Sequence, residues 1–410
     1  MNKHKALLFG AAAAIRLLLF SFPSLPPVLT GRVEISTPVT SYKRLQEGLF
    51  LYTHNVSPYD GGVFHQAPLL LPLFNLLPEA LTGLLYILLD LLSANALITI
   101  ADSGIAQSTR LFTSPRKSFG YSSLSIAAAY LFNPLTVATC IARPTSVITN
   151  AFILQAIASA ATGRSLTFIL SLSLSSYLSL YPILLFPPLA LILYDRHPKP
   201  ASPLLFTISH LAGLSASILG LLYISYFLMG SWQFISSTYG TPLLLPDLTP
   251  NVGLWWYFFI EMFDSFREFF LGVFWLHMAS YVGGLCIKLH KQPLFAAVAM
   301  LGVIAIFQPY PSIADSALFL GTVPLYRHVF PLMRYSFLAT ATLLYATLLG
   351  PAFYHLWIYA GSGNANFFYA ITLVWSLALI ILTGDLLHAV IRDEVELERP
   401  ELKGKDVRQL

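Results

Sequence analysis

The sequence predicts an all-α polytopic membrane protein with about twelve transmembrane helices and further helices lying on the membrane surface. Of its 410 residues, 56% are hydrophobic and only 10% are charged, and the mean hydropathy is +0.70. A soluble domain carries about 25% charged residues, so the composition excludes a water-soluble protein. Apolar runs recur along the whole chain, and only helices satisfy their backbone in lipid at such lengths.

Twelve apolar runs are the predicted spans, since each approaches the roughly 20 residues that cross a bilayer, although some are short enough to be tilted or re-entrant. They fall at 5–22, 67–104, 123–141, 147–163, 166–180, 182–194, 203–229, 266–287, 293–308, 313–326, 335–350 and 366–391. The first run contains Arg16 and is expected to be retained rather than cleaved as a signal peptide. Residues 1–391 therefore form a single transmembrane domain, and residues 392–410 a short, solvated cytosolic tail.

Basic residues fall on one side of this arrangement, which predicts its orientation. With the N-terminus in the cytosol, the cytosolic side receives the basic loops at 110–117, 195–199 and 288–291 and the tail. Arg143 is the main exception. The other side receives four loops that are poor in Lys and Arg, at 23–66, 230–265, 308–312 and 351–365. Both termini are accordingly predicted to be cytosolic.

The loop at 23–66 contains a predicted amphipathic helix on the membrane surface. Thr37 is the expected N-cap, with Pro38 in the first turn. The following residues alternate at helical spacing between an apolar face (Tyr42, Leu45, Leu49, Tyr52) and a polar one (Lys43, Arg44, Gln46, Glu47). Asn55-Val56-Ser57 is an N-glycosylation sequon, weakened by the following Pro58.

The loop at 230–265 ends in "PDLTPNVGLWWYFFIEMF", where Thr249 and Pro250 repeat the cap-plus-proline pattern. The five consecutive aromatics at 255–259 favour the headgroup region. Glu261, Asp264 and Glu268 are predicted to form one acidic stripe on the same helix, with Arg267 paired to Asp264.

The loop at 351–365 and the residues after it read "AGSGNAN" between aromatic flanks. Gly361 and Gly363 permit positive φ and close backbone approach. Ser362, Asn364 and Asn366 offer neutral donors and acceptors, which bind hydroxyls or peptide groups without the desolvation cost of a charge. A rigid hairpin with Asn366 capping the last helix would use the same residues, and both interpretations stay open.

The stretches "SPYDGGVFHQAPLL", "DLTPNVGLWWYFFIEMF", "YPSIADSALFL" and "HLWIYAGSGNANFFYAITL" closely resemble the PIG-U family, the multi-spanning subunits of the GPI transamidase of the endoplasmic reticulum. The resemblance runs in order from the first helix to the last. It implies a non-catalytic subunit that helps to hold the GPI lipid or the C-terminal attachment signal while GPI is transferred to precursor proteins. It also implies an endoplasmic reticulum location and four partners: PIG-K, which carries the catalytic Cys and His, PIG-T, PIG-S and a GPAA-type protein.

A second resemblance, to the polytopic (GT-C-like) dolichol-phosphate-mannose mannosyltransferases, supplies the alternative function. Those enzymes carry an acidic motif upstream of a "SPY…PLL"-like stretch. Here the corresponding region reads "EISTPVTSYKRLQEG", in which Glu34 is present but Thr37 and Thr40 stand near the expected acids. A base must be placed at the bond being made, so the chain is predicted to keep the scaffold without the chemistry.

The residues predicted to contact GPI or the signal are Asp247, Asn251, Trp255, Glu261, Tyr359, Ser362, Asn364 and Asn366. Helix capping is the competing explanation for Asp247, and solvent exposure for Glu261. Cys286 and His290 are four residues apart, but they fall at the cytosolic end of a span and are not expected to be catalytic. His54, Asp60 and His65 match no metal motif, and no cofactor is predicted.

Overall fold

A computed structural model describes residues 3–197 and 202–405 and shows a helical chain, as the sequence predicts. Within those ranges the only β pairing is an isolated bridge between Ser108 and Thr113. Residues 198 and 199 of the predicted basic loop, and residues 406–410 of the predicted tail, lie outside the described residues.

The first half of the chain forms ten α-helices among the described residues. They are α1 Lys3–Phe20, α2 Leu25–Thr30, α3 Tyr42–Thr53, α4 Leu70–Leu76, α5 Glu79–Asp102, α6 Ser123–Leu131, α7 Pro134–Ala142, α8 Ser146–Ala161, α9 Ser165–Leu178 and α10 Phe186–Arg196. Short 3-10 helices follow at Lys117–Phe119 and Tyr181–Leu185.

The second half contributes the remaining described helices. They are α11 Pro203–Met229, α12 Gln233–Ile235, α13 Thr241–Leu244, α14 Trp255–Glu261, α15 Asp264–Lys288, α16 Pro293–Phe307, α17 Ile313–Thr322, α18 Ser336–Ile358 and α19 Ala365–Glu398. A π-helical turn covers Ser236–Gly240, and 3-10 helices cover Val323–Leu332 and Pro400–Leu402.

Five of the described helices are long and apolar enough to cross a membrane: α5, α11, α15, α18 and α19. The pair α6 and α7, bent by 54°, would make a sixth. Several of the other predicted runs are shorter helices, of which α16 is the clearest case. Its 15 residues rise only about 22 Å. All but Phe307 are buried, so α16 is a core helix surrounded by protein.

The bend between α6 and α7 explains the arginine in the first helix. The N–H of Leu135 bonds to the side chain of Asn133 at 3.0 Å, which leaves the carbonyl of Leu131 without its helical donor. Arg16 donates to that carbonyl at 2.9 Å and to the carboxylate of Asp90 on α5 at 2.8 Å. Arg16 is fully buried, and a paired charge is the only form in which an arginine is stable there.

The core is built around α16, which contacts α10, α15, α17 and α19, while α8 packs between α5 and α9. Helices α18 and α19 form a long antiparallel hairpin at one side.

Two predicted boundaries in this hairpin are wrong. Helix α18 continues through Pro351 to Ile358, so the predicted loop 351–365 shrinks to 359–364. Helix α19 continues to Glu398, and Asp393 is buried, so the start of the predicted solvated tail is a packed helix.

Both predicted threonine caps are wrong, although α3 itself is confirmed as an amphipathic helix that buries Leu45. Helix α3 begins at Tyr42 and is capped by the side chain of Ser41. Helix α14 begins at Trp255, six residues after Thr249. In both cases the residues after the proline form turns instead of a first helical turn, because local hydrogen bonds offer the backbone an alternative.

Candidate functional site

The four predicted loops meet at one end of the bundle. We call this region the loop cluster: residues 23–66, 230–265 and 308–312, together with the α18–α19 turn and its flanking aromatics. The carboxylate of Asp247 accepts from Arg44 at 2.9 Å, and its carbonyl accepts from the hydroxyl of Tyr310 at 2.6 Å. The N–H of Ile313 donates to the carbonyl of Glu34 at 2.9 Å. These bonds tie the first three loops together.

Asp247 is the electrostatic centre of these contacts. Burial alone would raise the pKa of its carboxyl, but hydrogen bonds from Thr249 and the charge of Arg44 outweigh burial and hold the pKa below its usual range. Asn251 next to it is fully buried, and its amide bonds to the carbonyl of Thr249 and the N–H of Gly253. Both predicted contact residues are therefore engaged in building the loop.

Three of the five aromatics at 255–259, Trp255, Trp256 and Phe259, are buried in the core, and the other two are partly exposed. Trp255 is fully buried, and its indole N–H donates to the carbonyl of Phe307 at 2.8 Å. Trp256 is 1% exposed and lies parallel to Trp357, with ring centroids 6.3 Å apart. It also meets Tyr369 edge-on at 5.7 Å. The tryptophan-rich segment and the α18–α19 hairpin are thus in direct contact.

The α18–α19 turn closes around a glycine in the left-handed region. The N–H groups of Ser362 and Gly363 both donate to the carbonyl of Leu356, and Gly361 between the two helices has a φ of 64°. Gly363 is needed for close approach, since a Cβ there would lie 3.2 Å from the backbone nitrogen of Trp357. The cap of α19 is Asn364, which accepts from the N–H of Phe367, so the prediction that Asn366 is the cap is wrong.

The remaining predicted residues form an exposed surface around this turn. Tyr359, Ser362, Asn364 and Asn366 are all exposed. Asn366 accepts a hydrogen bond from Tyr257, and Tyr369 donates to the carbonyl of Leu254 at 3.0 Å. The surface therefore continues from the turn onto α14.

Glu261 ends this surface as an exposed residue at the last position of α14. The predicted acidic stripe is wrong, because an extended break at Met262 and Phe263 separates Glu261 from Asp264. Arg267 donates to the carbonyl of Leu245 at 2.5 Å, which replaces the predicted pair with Asp264.

An apolar groove opens beside the loop cluster, and the sequence did not reveal it. It has a volume of about 410 Å³ and lies between α2, α7, α18 and α19. Its deeper walls include Leu135, Ala346, Ile371 and Trp375. Two hydroxyls face this region, but Thr347 and Thr372 donate to carbonyls of their own helices. The indole N–H of Trp375 has no partner among the described residues, so the wall is mainly apolar but includes one free donor. A groove of this kind accepts an apolar chain.

A single ion pair marks the polar rim of the groove. The guanidinium of Arg32 binds the carboxylate of Glu34 through two bonds, of 3.0 and 2.7 Å, and lies over the ring of Tyr354 at 5.7 Å. Its side chain remains 24% exposed. Val252 and Phe368, from the loop cluster and its flank, also line the groove. The apolar groove, its charged rim and the exposed turn therefore form one continuous region.

The sequence signal that could have indicated the groove is a pair of small residues on one face of α18. Ala346 and Gly350 are four residues apart and leave the space that larger side chains would fill. The pairing of Arg32 with Glu34 was not predicted either.

The other residues considered in the sequence do not line the apolar groove. Asn55 is exposed, with a φ of 55°, just after α3. His290 lies beyond the end of α15, so it does not share a helix with Cys286. Cys140 is fully buried. His65 is buried against the carbonyl of Ser237, at 3.0 Å from its Nδ1.

Known proteins match this chain along almost its full length. The family described as "GPI transamidase subunit PIG-U" matches residues 10–375. The GPI-anchor transamidase component PIGU of Homo sapiens is 37% identical over 95% of this chain and 94% of its own length. The GPI transamidase component GAB1 of Saccharomyces cerevisiae is 38% identical over 96% of both chains, and its Schizosaccharomyces pombe homolog is 35% identical over 93% and 92%. The chain therefore belongs to the PIG-U family of GPI transamidase subunits.

Proposed function

We propose that this chain is a non-catalytic subunit of GPI transamidase in the endoplasmic reticulum membrane. In this role the apolar groove holds the hydrocarbon part of the GPI lipid while GPI is transferred to precursor proteins. Family membership and the names of the relatives support the first part. The observation that carries the second is the groove of about 410 Å³, whose wall is mainly apolar and whose threonine hydroxyls are bonded within their own helices.

The energetics of the groove favour an acyl chain. Each methylene removed from water contributes about 0.8 kcal/mol, and covering a mainly apolar wall costs little desolvation. The apolar tail of an attachment signal satisfies the same requirement, and it is the second candidate occupant. The rim distinguishes them, since Arg32 next to the groove suits the phosphate of a lipid headgroup.

The exposed turn is placed to meet the part of the ligand that leaves the groove. Ser362, Asn364 and Asn366 present neutral donors and acceptors suited to sugar hydroxyls or to a peptide backbone. Tyr359 is 67% exposed and offers a ring face for a sugar. Glu261, on the same surface, is available to a cationic group of the ligand or of a partner subunit.

The topology proposed from the sequence accompanies this role. The loop cluster faces the lumen and both termini face the cytosol. Short helices such as α8, α9 and α16 complete a bundle of about twelve transmembrane helices on a mannosyltransferase-like scaffold. Asn55 then lies on the luminal side, where N-glycosylation occurs. The catalytic Cys and His belong to PIG-K, and PIG-T, PIG-S and a GPAA-type protein complete the set of partners.

Filling the groove tests the proposal. Ala346→Phe places a ring in the groove, whereas Ala341→Phe places the same ring on an exposed face of the same helix. We expect Ala346→Phe to lower GPI transfer to a precursor roughly tenfold, which corresponds to about 1.4 kcal/mol, with completed GPI accumulating. Assembly with the partner subunits, measured by co-purification, should be unchanged in both variants.

Two results would count against this function. Full transfer activity in Ala346→Phe would show that the groove is not used. Failure of GPI itself to form after loss of the chain would favour the mannosyltransferase alternative. That alternative also predicts a large loss of rate, with normal assembly, when Glu34, Glu47 or Asp60 is replaced one at a time.

A further inference from the structure

A second, polar cavity lies beneath the loop cluster and shares no lining residue with the apolar groove. Its volume is about 60 Å³, which is room for roughly four water molecules. The walls come from many separate parts of the chain, among them residues 39–40, His65, the start of α8, the 3-10 helix at Tyr181–Leu185, the π-helical turn, and helices α16 and α17 with the segment that joins them.

Two hydroxyls in this cavity have no hydrogen-bond partner among the described residues. They belong to Ser146, at the start of α8, and to Tyr181. Both residues are more than nine-tenths buried. A buried polar group without a partner destabilises a fold, so two of them lining one cavity indicate that something other than protein completes their bonding.

The cavity also holds one carboxylate, that of Asp315. One of its oxygens accepts from the backbone and side chain of Ser312, at 2.8 and 3.0 Å, which caps α17. Its charge lies near Tyr181, whose pKa is raised well above the usual range by burial and then by Tyr310 and Asp315. The side chain keeps intermediate accessibility although it lies inside the protein, as expected of a group facing a cavity.

No positive charge offsets Asp315 among the described residues that line the cavity, since they include neither Lys nor Arg. His65 is the one titratable base there, and burial lowers the pKa of its imidazole, which keeps it neutral. An unpaired buried carboxylate is costly, and a bound cation would offset that cost.

We propose that this cavity binds a primary ammonium group carried on a small hydroxylated ligand. The Asp315 carboxylate is the counter-ion, and the hydroxyls of Ser146 and Tyr181 are hydrogen-bond partners. An ammonium has three donors and no acceptor, which matches this set of oxygens. Anions are excluded by the carboxylate, and apolar ligands by the free hydroxyls. The site does not depend on the function proposed for the groove.

Ethanolamine and ethylene glycol are a matched pair of probes, because they differ by an ammonium in place of a hydroxyl. The full chain, purified in detergent alone or within its complex, is titrated with each probe at constant ionic strength while its thermal unfolding is followed. We expect ethanolamine to raise Tm saturably, with a Kd at least tenfold below that of ethylene glycol. Asp315→Asn should abolish this preference, and the control Asp264→Asn, which removes an exposed charge, should keep it.

Ser146→Ala and Tyr181→Phe give an arm that is independent of the α17 cap. Each should weaken ethanolamine binding about three- to tenfold without lowering the Tm of the ligand-free protein, because the hydroxyl it removes has no protein partner. Equal binding of the two probes, or no saturable binding of either, would overturn the proposal and leave a water-filled cavity. So would unchanged ethanolamine affinity in both hydroxyl variants.

Discussion

The two ends of the α18–α19 hairpin are stabilised by opposite kinds of interaction. At one end lies the loop cluster, which contains two ion pairs but packs against the hairpin mainly through aromatic rings. At the other lies what we call the charged end: Arg116, Lys291, Arg392, Asp393, Glu394, Glu396 and Glu398. The 34 residues of α19 separate them by about 50 Å.

At the charged end the last turns of α19 are bound by cations from distant parts of the chain. Arg116 binds Asp393 at 2.6 Å and also pairs with Glu396. Glu396 is bound in addition by Arg392 at 2.9 Å. Lys291, just after α15, binds Glu394 at 2.9 Å. Because these charges pair with one another, they hold the end of α19 against Arg116 and Lys291 and leave little unpaired charge for a ligand.

The α18–α19 turn in the loop cluster leaves polar side chains exposed instead. Its rings fix the backbone by packing, so the amides of Asn364 and Asn366 can stay exposed. Dispersion and ring contacts stabilise the loops without using up donors and acceptors. The difference between the ends agrees with the proposal that a ligand binds at the aromatic end, and the ion pairs of the charged end support the fold.

The largest expected effect that tests this comparison is at Trp256. Trp256→Ala removes a 1%-exposed ring that contacts Trp357, Phe368 and Tyr369. We expect a loss of about 3–5 kcal/mol in the free energy of unfolding, the range for large-to-small changes at buried aromatics. Unfolding in mixed SDS micelles measures this loss in the free energy of unfolding.

Phe263→Ala is the matched control, because that ring is at the same end but 78% exposed. It should cost no more than about 0.5 kcal/mol. A similar small loss in Trp256→Ala would mean that the aromatic contacts do not stabilise the loop cluster, and the comparison of the two ends would fail.

The next effect is at the charged end. Arg116→Ala leaves Asp393 buried without its cation, while Glu396 keeps Arg392. Because the Arg116 side chain is 17% exposed, we expect a loss of about 2–3 kcal/mol, below the range for fully buried pairs. The same micellar unfolding measurement applies.

Salt sharpens the contrast between these two variants. At 1 M salt the penalty of Arg116→Ala should shrink, because charges at a partly exposed pair are screened, whereas the penalty of Trp256→Ala should not change. Lys291→Ala, which breaks a more exposed pair, should give a smaller loss than Arg116→Ala. A salt-independent penalty at Arg116 would show that packing, not charge, accounts for its contribution.

Composition and periodicity predicted the helical membrane class, the amphipathic helix α3 and the aromatic content of the loops. These features depend on residues close together in the sequence. The distribution of basic residues also grouped the four loops that meet in the structure. Local patterns are sufficient where neighbouring residues determine the outcome.

The features that were not predicted depend on distant partners. The acids at 393–398 resemble a solvated tail until Arg116, some 280 residues earlier, is placed beside them. The predicted apolar run ended at residue 350, but α18 continues through Pro351, because neighbouring helices allow a proline within a membrane helix. The apolar groove forms between four helices that are far apart in the sequence, so no local pattern predicts it.

The smallest effect concerns two asparagines in the turn between α18 and α19, which the sequence could not tell apart. Asn364 accepts from the N–H of Phe367 and caps α19, whereas the side chain of Asn366 accepts a hydrogen bond from Tyr257 and caps no helix. Asn364→Ala should therefore cost about 1 kcal/mol of stability, as loss of an N-cap does. Asn366→Ala should cost about 0.5 kcal/mol or less, because the residue is exposed. Micellar unfolding of both variants, with Asn364→Asp as the restored cap, measures the difference. Equal losses would show that the turn is stabilised as a unit, and that exposure at the aromatic end does not mark residues free to bind a ligand.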